Sequence, residues 1–154
     1  MTLARRAVDR NGLEILTREE CFDLIRQVPV GRIGVVVGGL PVVVPVNFTL
    51  LGDDIVVRTS TGQKLVAAVT RSAVSFEVDS LDLRAHAGWS VLVTGGASEI
   101  TRPDERASVD ALGLESWIPG RERYIRIRTE VVSGRRIVGT GHPAVIPETE
   151  WDWG

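Results

Sequence analysis

Residues 31–60 read "GRIGVVVGGLPVVVPVNFTLLGDDIVVRTS", and the β-branched side chains in them recur with the period of strands. The segments "GRIGVVV" and "PVVVPVNFTLL" flank the turn "GGLP", and "DIVVRTS" follows the turn "GDD". Connections this short join antiparallel neighbours, so the stretch reads as a β-meander.

The meander runs into "RTSTGQKLVAAV", residues 58–69, where the period becomes helical. Thr61 is a candidate N-cap, and Leu65, Ala68 and Val69 fall on one helical face. Strand alternation places Arg58 and Ser60 on one face and Val57 and Thr59 on the other. Just beyond, Thr61 to Lys64 make a first helical turn, whose unpaired N–H groups and positive dipole end favour an anion. Arg58 offers a planar fork for phosphate oxygens and Lys64 a point charge. A P-loop is excluded, because its pair of spaced glycines followed by Lys-Ser or Lys-Thr is absent. The competing reading is a polar strand-to-helix turn whose Arg58 or Lys64 is solvated or pairs with Asp53, Asp54 or Glu77.

Two more segments bear on a ligand. In "PVVVPVNF", Pro45 has no N–H to give to a ladder, so the sheet is expected to be interrupted around Val44, Pro45, Val46 and Asn47. Such a gap exposes backbone groups to the polar edge of a flat ligand; a plain edge strand is the alternative. Trp89 and Ser90 stand at the entrance of the strand expected over 89–100. The indole either covers an aromatic group or packs in a core or interface.

The rest of the chain supports one β-rich domain. "TREECFDLIRQV" predicts a helix opened by a capping box of Thr17 and Glu20, with Cys21, Leu24, Ile25 and Val28 on its apolar face. "AVSFEVDS" alternates as a strand, and Gly95 and Gly96 predict a bulge or tight bend in the strand over 89–100. "TRPDERASVDALG" predicts a helix from a Thr101 cap to a Gly113 stop, and "RYIRIRTEVVSGRRIV" one last long strand. About six antiparallel strands with three short flanking helices make a mainly β fold, a closed or partly closed barrel, because a flat sheet would leave two edges bare. Residues 1–15 are expected as a flexible lead-in, 16–140 as the domain and 141–154 as a tail carrying Trp151 and Trp153.

Length and charge narrow the function. A chain of 154 residues, 44% apolar, fits one globular domain. Interspersed charges summing to −2 give no electrostatic reason for a nucleic-acid partner. No apolar run reaches the length of a membrane span, and the start does not read as a signal peptide, so a cytoplasmic location is expected. Cys21 is expected as a packed thiol, and neither His86 nor His142 has metal-ligand spacing. No Ser-His-Asp or Cys-His set is recognisable.

From Leu16 to Val138 the segments "LTREECFDLI", "VGRIGVV", "PVVVPVNF", "VVRTSTGQKL", "VSFEVD" and "GWSVLVTGGASEI" occur in an order that resembles the pyridoxamine 5′-phosphate oxidase-like proteins of the FMN-binding split-barrel superfamily. The resemblance implies a homodimer of split β-barrels with FMN at the subunit interface. It places Arg58, Thr59, Ser60 and Lys64 at the phosphate, Val44 to Asn47 along the isoalloxazine, and Trp89 and Ser90 at the cofactor, often from the neighbouring subunit. An FMN-dependent oxidoreductase of a small molecule is the function implied. A deazaflavin (F420)-dependent reductase and a non-catalytic flavin- or haem-binding protein are the alternatives on this scaffold. The ending "RRIVGTGHPAVIPETEWDWG" departs from the Arg-Leu-x-Pro type close of pyridoxamine phosphate oxidases, so the vitamin B6 reaction is not carried over.

Overall fold

The computed structural model describes residues 6–59, 63–70, 72–114 and 123–139. Along the chain come β1 (Glu14–Leu16), α1 (Arg18–Ile25), β2 (Val30–Val37), β3 (Leu40–Leu51), β4 (Asp54–Thr59) and α2 (Gln63–Val69). They are followed by β5 (Ala73–Asp82), β6 (Ala87–Glu99), α3 (Pro103–Asp110), β7 (Arg123–Ile127) and β8 (Val131–Ile137). No helix among the described residues is long and apolar enough to cross a membrane.

The barrel closes because one strand serves two partners. β2, β3, β4, β7, β6 and β5 pair in a continuous antiparallel cycle, and β8 and then β1 branch from it. On one edge β6 pairs with β5; on the other, Gly88–Thr94 pair with β8 and Ala97–Glu99 with β7. The expected last long strand is therefore two strands, parted at residues 128–130. Its alternation breaks there too: Ile125 and Ile127 face inward, whereas Val131 faces out and is 63% exposed. The other strand beyond the expected set, β1, begins inside the anticipated lead-in and pairs with β8.

Where the chain passes from β7 to β8 it crosses directly over Gly95 and Gly96. The Arg128 N–H donates to the Gly96 carbonyl at 2.9 Å. A Cβ on Gly95 would lie 1.8 Å from the Arg128 carbonyl oxygen. The β5–β6 register runs unbroken from Ala73↔Gly96 to Asp82↔Ala87, so of the expected bulge or tight bend the ladder contains no bulge, and these glycines admit a crossing chain. The connection is also tied down from other sides: Thr129 Oγ1 donates to the Asp53 carbonyl at 3.0 Å, and Arg18 donates to the Thr129 carbonyl at 3.1 Å.

Inside the ring, inward residues of the strands meet α1 and α2. Ile33, Val46, Phe48, Ile55, Val57, Phe76, Val78, Val91, Val93 and Ile125 form the main core with Ile25 and Val69. Phe48 and Phe76 meet edge to face, centroids 4.9 Å apart, the geometry that ring quadrupoles prefer. α1 starts on the expected capping box, with Thr17 Oγ1 accepting from the Glu20 N–H and Glu20 accepting from the Thr17 N–H. Cys21 is fully buried beside Gly134, and burial pushes its thiol up.

A second, smaller core lies outside the ring, where α3 covers β4 and β7. Val56, Ile100, Val109 and Tyr124 pack there, with Leu51 and Leu114 at the margin. α3 is preceded by Arg102 as N-cap, whose side chain makes no capping bond, in place of the expected Thr101. Arg102 instead pairs with Asp104, at 2.8 Å, and Gly113 takes the left-handed conformation just beyond the helix. The phenol of Tyr124 donates to Asp110 at 2.5 Å, and Arg106 stands 5.3 Å from the ring centroid. Burial, then the bond to Asp110 and its charge, pushes the phenol above its ordinary value.

Gly95→Ala should cost roughly 3 kcal/mol of unfolding free energy in urea. Gly34→Ala should cost no more than about 1 kcal/mol, because its Cβ would sit 3.6 Å from Ser75 Cβ, an ordinary contact. Equal losses would contradict the crossing. Tyr124 is the chain's single tyrosine, so alkaline titration of phenolate absorbance reads it alone: its midpoint should exceed about 10 when folded and return to about 10 in denaturant. Because the folded phenol titrates higher, its contribution to stability is full below the unfolded value and is lost as pH rises through the folded one.

Candidate functional site

Register brings the two halves of the expected site together. Asn47 of β3 lies opposite Arg58 of β4, and Arg58 opposite Tyr124 of β7. All three point out of the barrel, because the inward set on these strands is Val46, Phe48, Val57, Thr59 and Ile125. Strand alternation thus divides the expected residues. Pro45, Asn47 and Arg58 are outward, while Val44, Val46 and Thr59 turn inward and offer only their backbone to an outer ligand.

Pro45 does not interrupt the sheet as expected. β3 runs unbroken from Leu40 to Leu51, and Pro45 holds its place opposite Arg32 of β2. On the other edge the described β3–β4 ladder covers only Asn47–Leu51, so residues 41–46 pair, among the described residues, with β2 alone. A proline is tolerated on such an edge.

Arg58 is half-buried under the end of α3, and its guanidinium donates to the Leu114 carbonyl. Two of the three carboxylates named as competing partners are engaged elsewhere. Asp54 lies 3.7 Å from Arg126, and Glu77 pairs with Arg32 at 3.1 Å. Beside Asn47 a groove of about 260 Å³ is walled by Pro29, Phe48, Thr49 and Leu112–Leu114. Sequence reading missed this wall; the outward placement of Tyr124 was its one available signal, and nothing local said what that face would meet. Ser60 and the expected cap Thr61 lie outside the described residues; Lys64 belongs to the first turn of α2, and the position of its side chain is likewise outside them.

Trp89 and Ser90 do not join this group within one chain. Adjacent on β6, they face opposite ways: Trp89 packs against the main core, and Ser90 is exposed on the outer face. Trp89 lies roughly 25 Å along the strand from Ala97, where β6 meets β7. It lines a separate cavity of about 390 Å³ with Ser80, Asp82, Arg136 and Val138. His86 sits in the exposed β5–β6 hairpin with φ of 46°.

The outer faces of β3, β2, β5, β6 and β8 form one surface that no described helix covers. Val43 is 68% exposed there, and Val36, Leu92 and Val131 are exposed as well. At its centre Arg32 bridges Glu77 and Asp79, at 3.1 and 3.3 Å. Burial, then the adjacent Asp79 charge, pushes the Glu77 carboxyl up against the pull of Arg32.

Comparison with known proteins agrees with this geometry. The family profile for pyridoxamine 5′-phosphate oxidase matches residues 17–136. The uncharacterized protein Rv0080 of Mycobacterium tuberculosis is 35% identical over 143 residues, which are 88% of this chain and 93% of that protein. The structure of the FAD binding protein from Mycobacterium smegmatis superposes with a TM-score of 0.69 at 32% identity, covering 80% of this chain and 98% of that one. A FAD-binding protein from Mesorhizobium loti gives a TM-score of 0.67 at 25% identity, with 81% and 98% covered. A ring of six strands that β8 leaves by sharing β6, matched along its length by these relatives, places the chain in the pyridoxamine 5′-phosphate oxidase family, with the flavin-binding split-barrel fold.

Proposed function

We propose that this protein is a flavin-dependent oxidoreductase of a small molecule, working in the cytoplasm as a homodimer. The flavin's FMN unit lies between the outer face of β3–β4 in one subunit and the open sheet face of the other. One observation carries the reading: Asn47 and Arg58 stand side by side on the outer face, beside a β3 edge whose residues 41–46, among the described residues, pair only with β2. A flat polar ring meets such an edge through backbone N–H and C=O groups, and a guanidinium meets a phosphate through paired donors.

In this reading Arg58, Thr59, Ser60 and Lys64 hold the phosphate, with Thr59 contributing its backbone. Val44 to Asn47 run along the ring. Bound there, the flavin supplies the hydride chemistry, and the protein supplies position and electrostatics. The groove beside Asn47, about 260 Å³, is smaller than the roughly 300–1,000 Å³ typical of ligand sites, which supports a pocket completed by a second subunit. The exposed valines of the open face support the same arrangement, and Ser90 lies outward on that face. The FAD binding relative from Mycobacterium smegmatis supports a flavin over a deazaflavin or haem.

The purified protein should show the absorbance bands of oxidised flavin; a haem Soret band, or a colourless protein that takes up F420 and no flavin, would overturn the reading. Replacing Arg58 and Lys64 together with alanine should weaken flavin binding by at least on the order of a hundredfold while circular dichroism stays that of the folded barrel. Unchanged occupancy would refute the phosphate grip. Light scattering should give twice the chain mass, and a monomer would contradict the shared pocket.

A further inference from the structure

Tyr124 is joined to the proposed phosphate grip by a short run of contacts through α3. It stands opposite Arg58 on the outer face, its ring packed in the small core with Val56, Ile100 and Val109. Only 2% of the residue is exposed, so it does not itself meet a ligand. The hydroxyl reaches Asp110, the last residue of α3, at 2.5 Å. From there the chain turns at once: the Leu112 N–H donates to the Val109 carbonyl at 3.0 Å, and the Gly113 N–H to the Asp110 carbonyl at 3.1 Å. The Leu114 carbonyl that follows accepts from the Arg58 guanidinium. Leu112, Gly113 and Leu114 also wall the groove beside Asn47. One hydroxyl thus ties down the end of α3, the turn beyond it and the carbonyl against which Arg58 is aimed.

That hydroxyl does little for the fold. Asp110 is exposed, so its carboxylate, once released, is hydrated and not stranded in a core. A phenyl ring fills the same space beside Val56 and Val109. A guanidinium, in contrast, grips a phosphate best when its paired donors are already turned toward the oxygens, because ordering it at the moment of binding costs affinity.

We infer that Tyr124 is a positioning residue of the cofactor site: through its bond to Asp110 it holds the Leu112–Leu114 turn, and so the Arg58 guanidinium, in the orientation that receives the flavin phosphate. This rests on the flavin reading above and adds to it a residue that acts through Arg58.

Fluorescence titration of flavin-free protein with FMN and with riboflavin, which has the ring and ribityl chain without the phosphate, tests the inference. The unaltered protein should bind FMN at least about tenfold tighter than riboflavin. Tyr124→Phe should weaken FMN about tenfold and leave riboflavin within about twofold, with the circular dichroism of the folded barrel retained. Asp110→Ala, at an exposed position, should reproduce that loss, and it decides alone should the first variant fail to fold. The double variant should lose no more than either single one, since both remove the same bond. An FMN affinity untouched by these substitutions, an equal weakening of FMN and riboflavin, or losses that add in the double variant would overturn the inference. Equal affinity of the unaltered protein for FMN and riboflavin would instead remove the phosphate grip itself.

Discussion

The close passage of the Arg128 carbonyl over Gly95 is the constraint from which the rest of the architecture follows. β6 is long enough to take β8 along one part and β7 along another, but only if the chain between those strands crosses its surface. A side chain at position 95 would occupy the space of that carbonyl. With the crossing made, β7 turns back to β4 and completes the ring, and α3 is brought over the outer side of β4 and β7. The roof over Arg58 is thus a consequence of closure at a distant glycine.

Alternation on β3 and β4 then sorts the candidate residues. Val44, Val46 and Val57 belong to the barrel interior, where burial of their side chains stabilises the scaffold. Pro45, Asn47 and Arg58 are left on the outside, and a ligand there would read side chains from one residue in two and backbone from the others. Arg58 is not a swinging surface cation. It is held between β7 and the Leu112–Leu114 segment, where its charge faces a carbonyl. Such a position preorganises a donor.

The open face is different in kind. Its apolar members come from separate strands, and at its centre the Arg32–Glu77–Asp79 cluster combines one positive charge with two negative ones. Burial already raises the Glu77 carboxyl. Apolar area around a satisfied ionic cluster gives a surface that is selective about what it meets, since a partner without matching polar groups would leave charge desolvated.

Local periodicity and turn chemistry, legible in the chain itself, determined the α1 capping box, the meander of β2 to β4, the helix after Thr59, and the resemblance that names the barrel. These depend on neighbours a few residues apart. Tertiary structure alone decided that Gly95 serves a crossing chain and not a bulge, and that "RYIRIRTEVVSGRRIV" is two strands. It also decided that Pro45 sits in an unbroken strand which, among the described residues, pairs there on one edge, and that Trp89 and Ser90 face opposite ways, away from Arg58. Each of those outcomes depends on which strand lies alongside, a pairing set by long-range burial and backbone hydrogen bonding that no local pattern encodes.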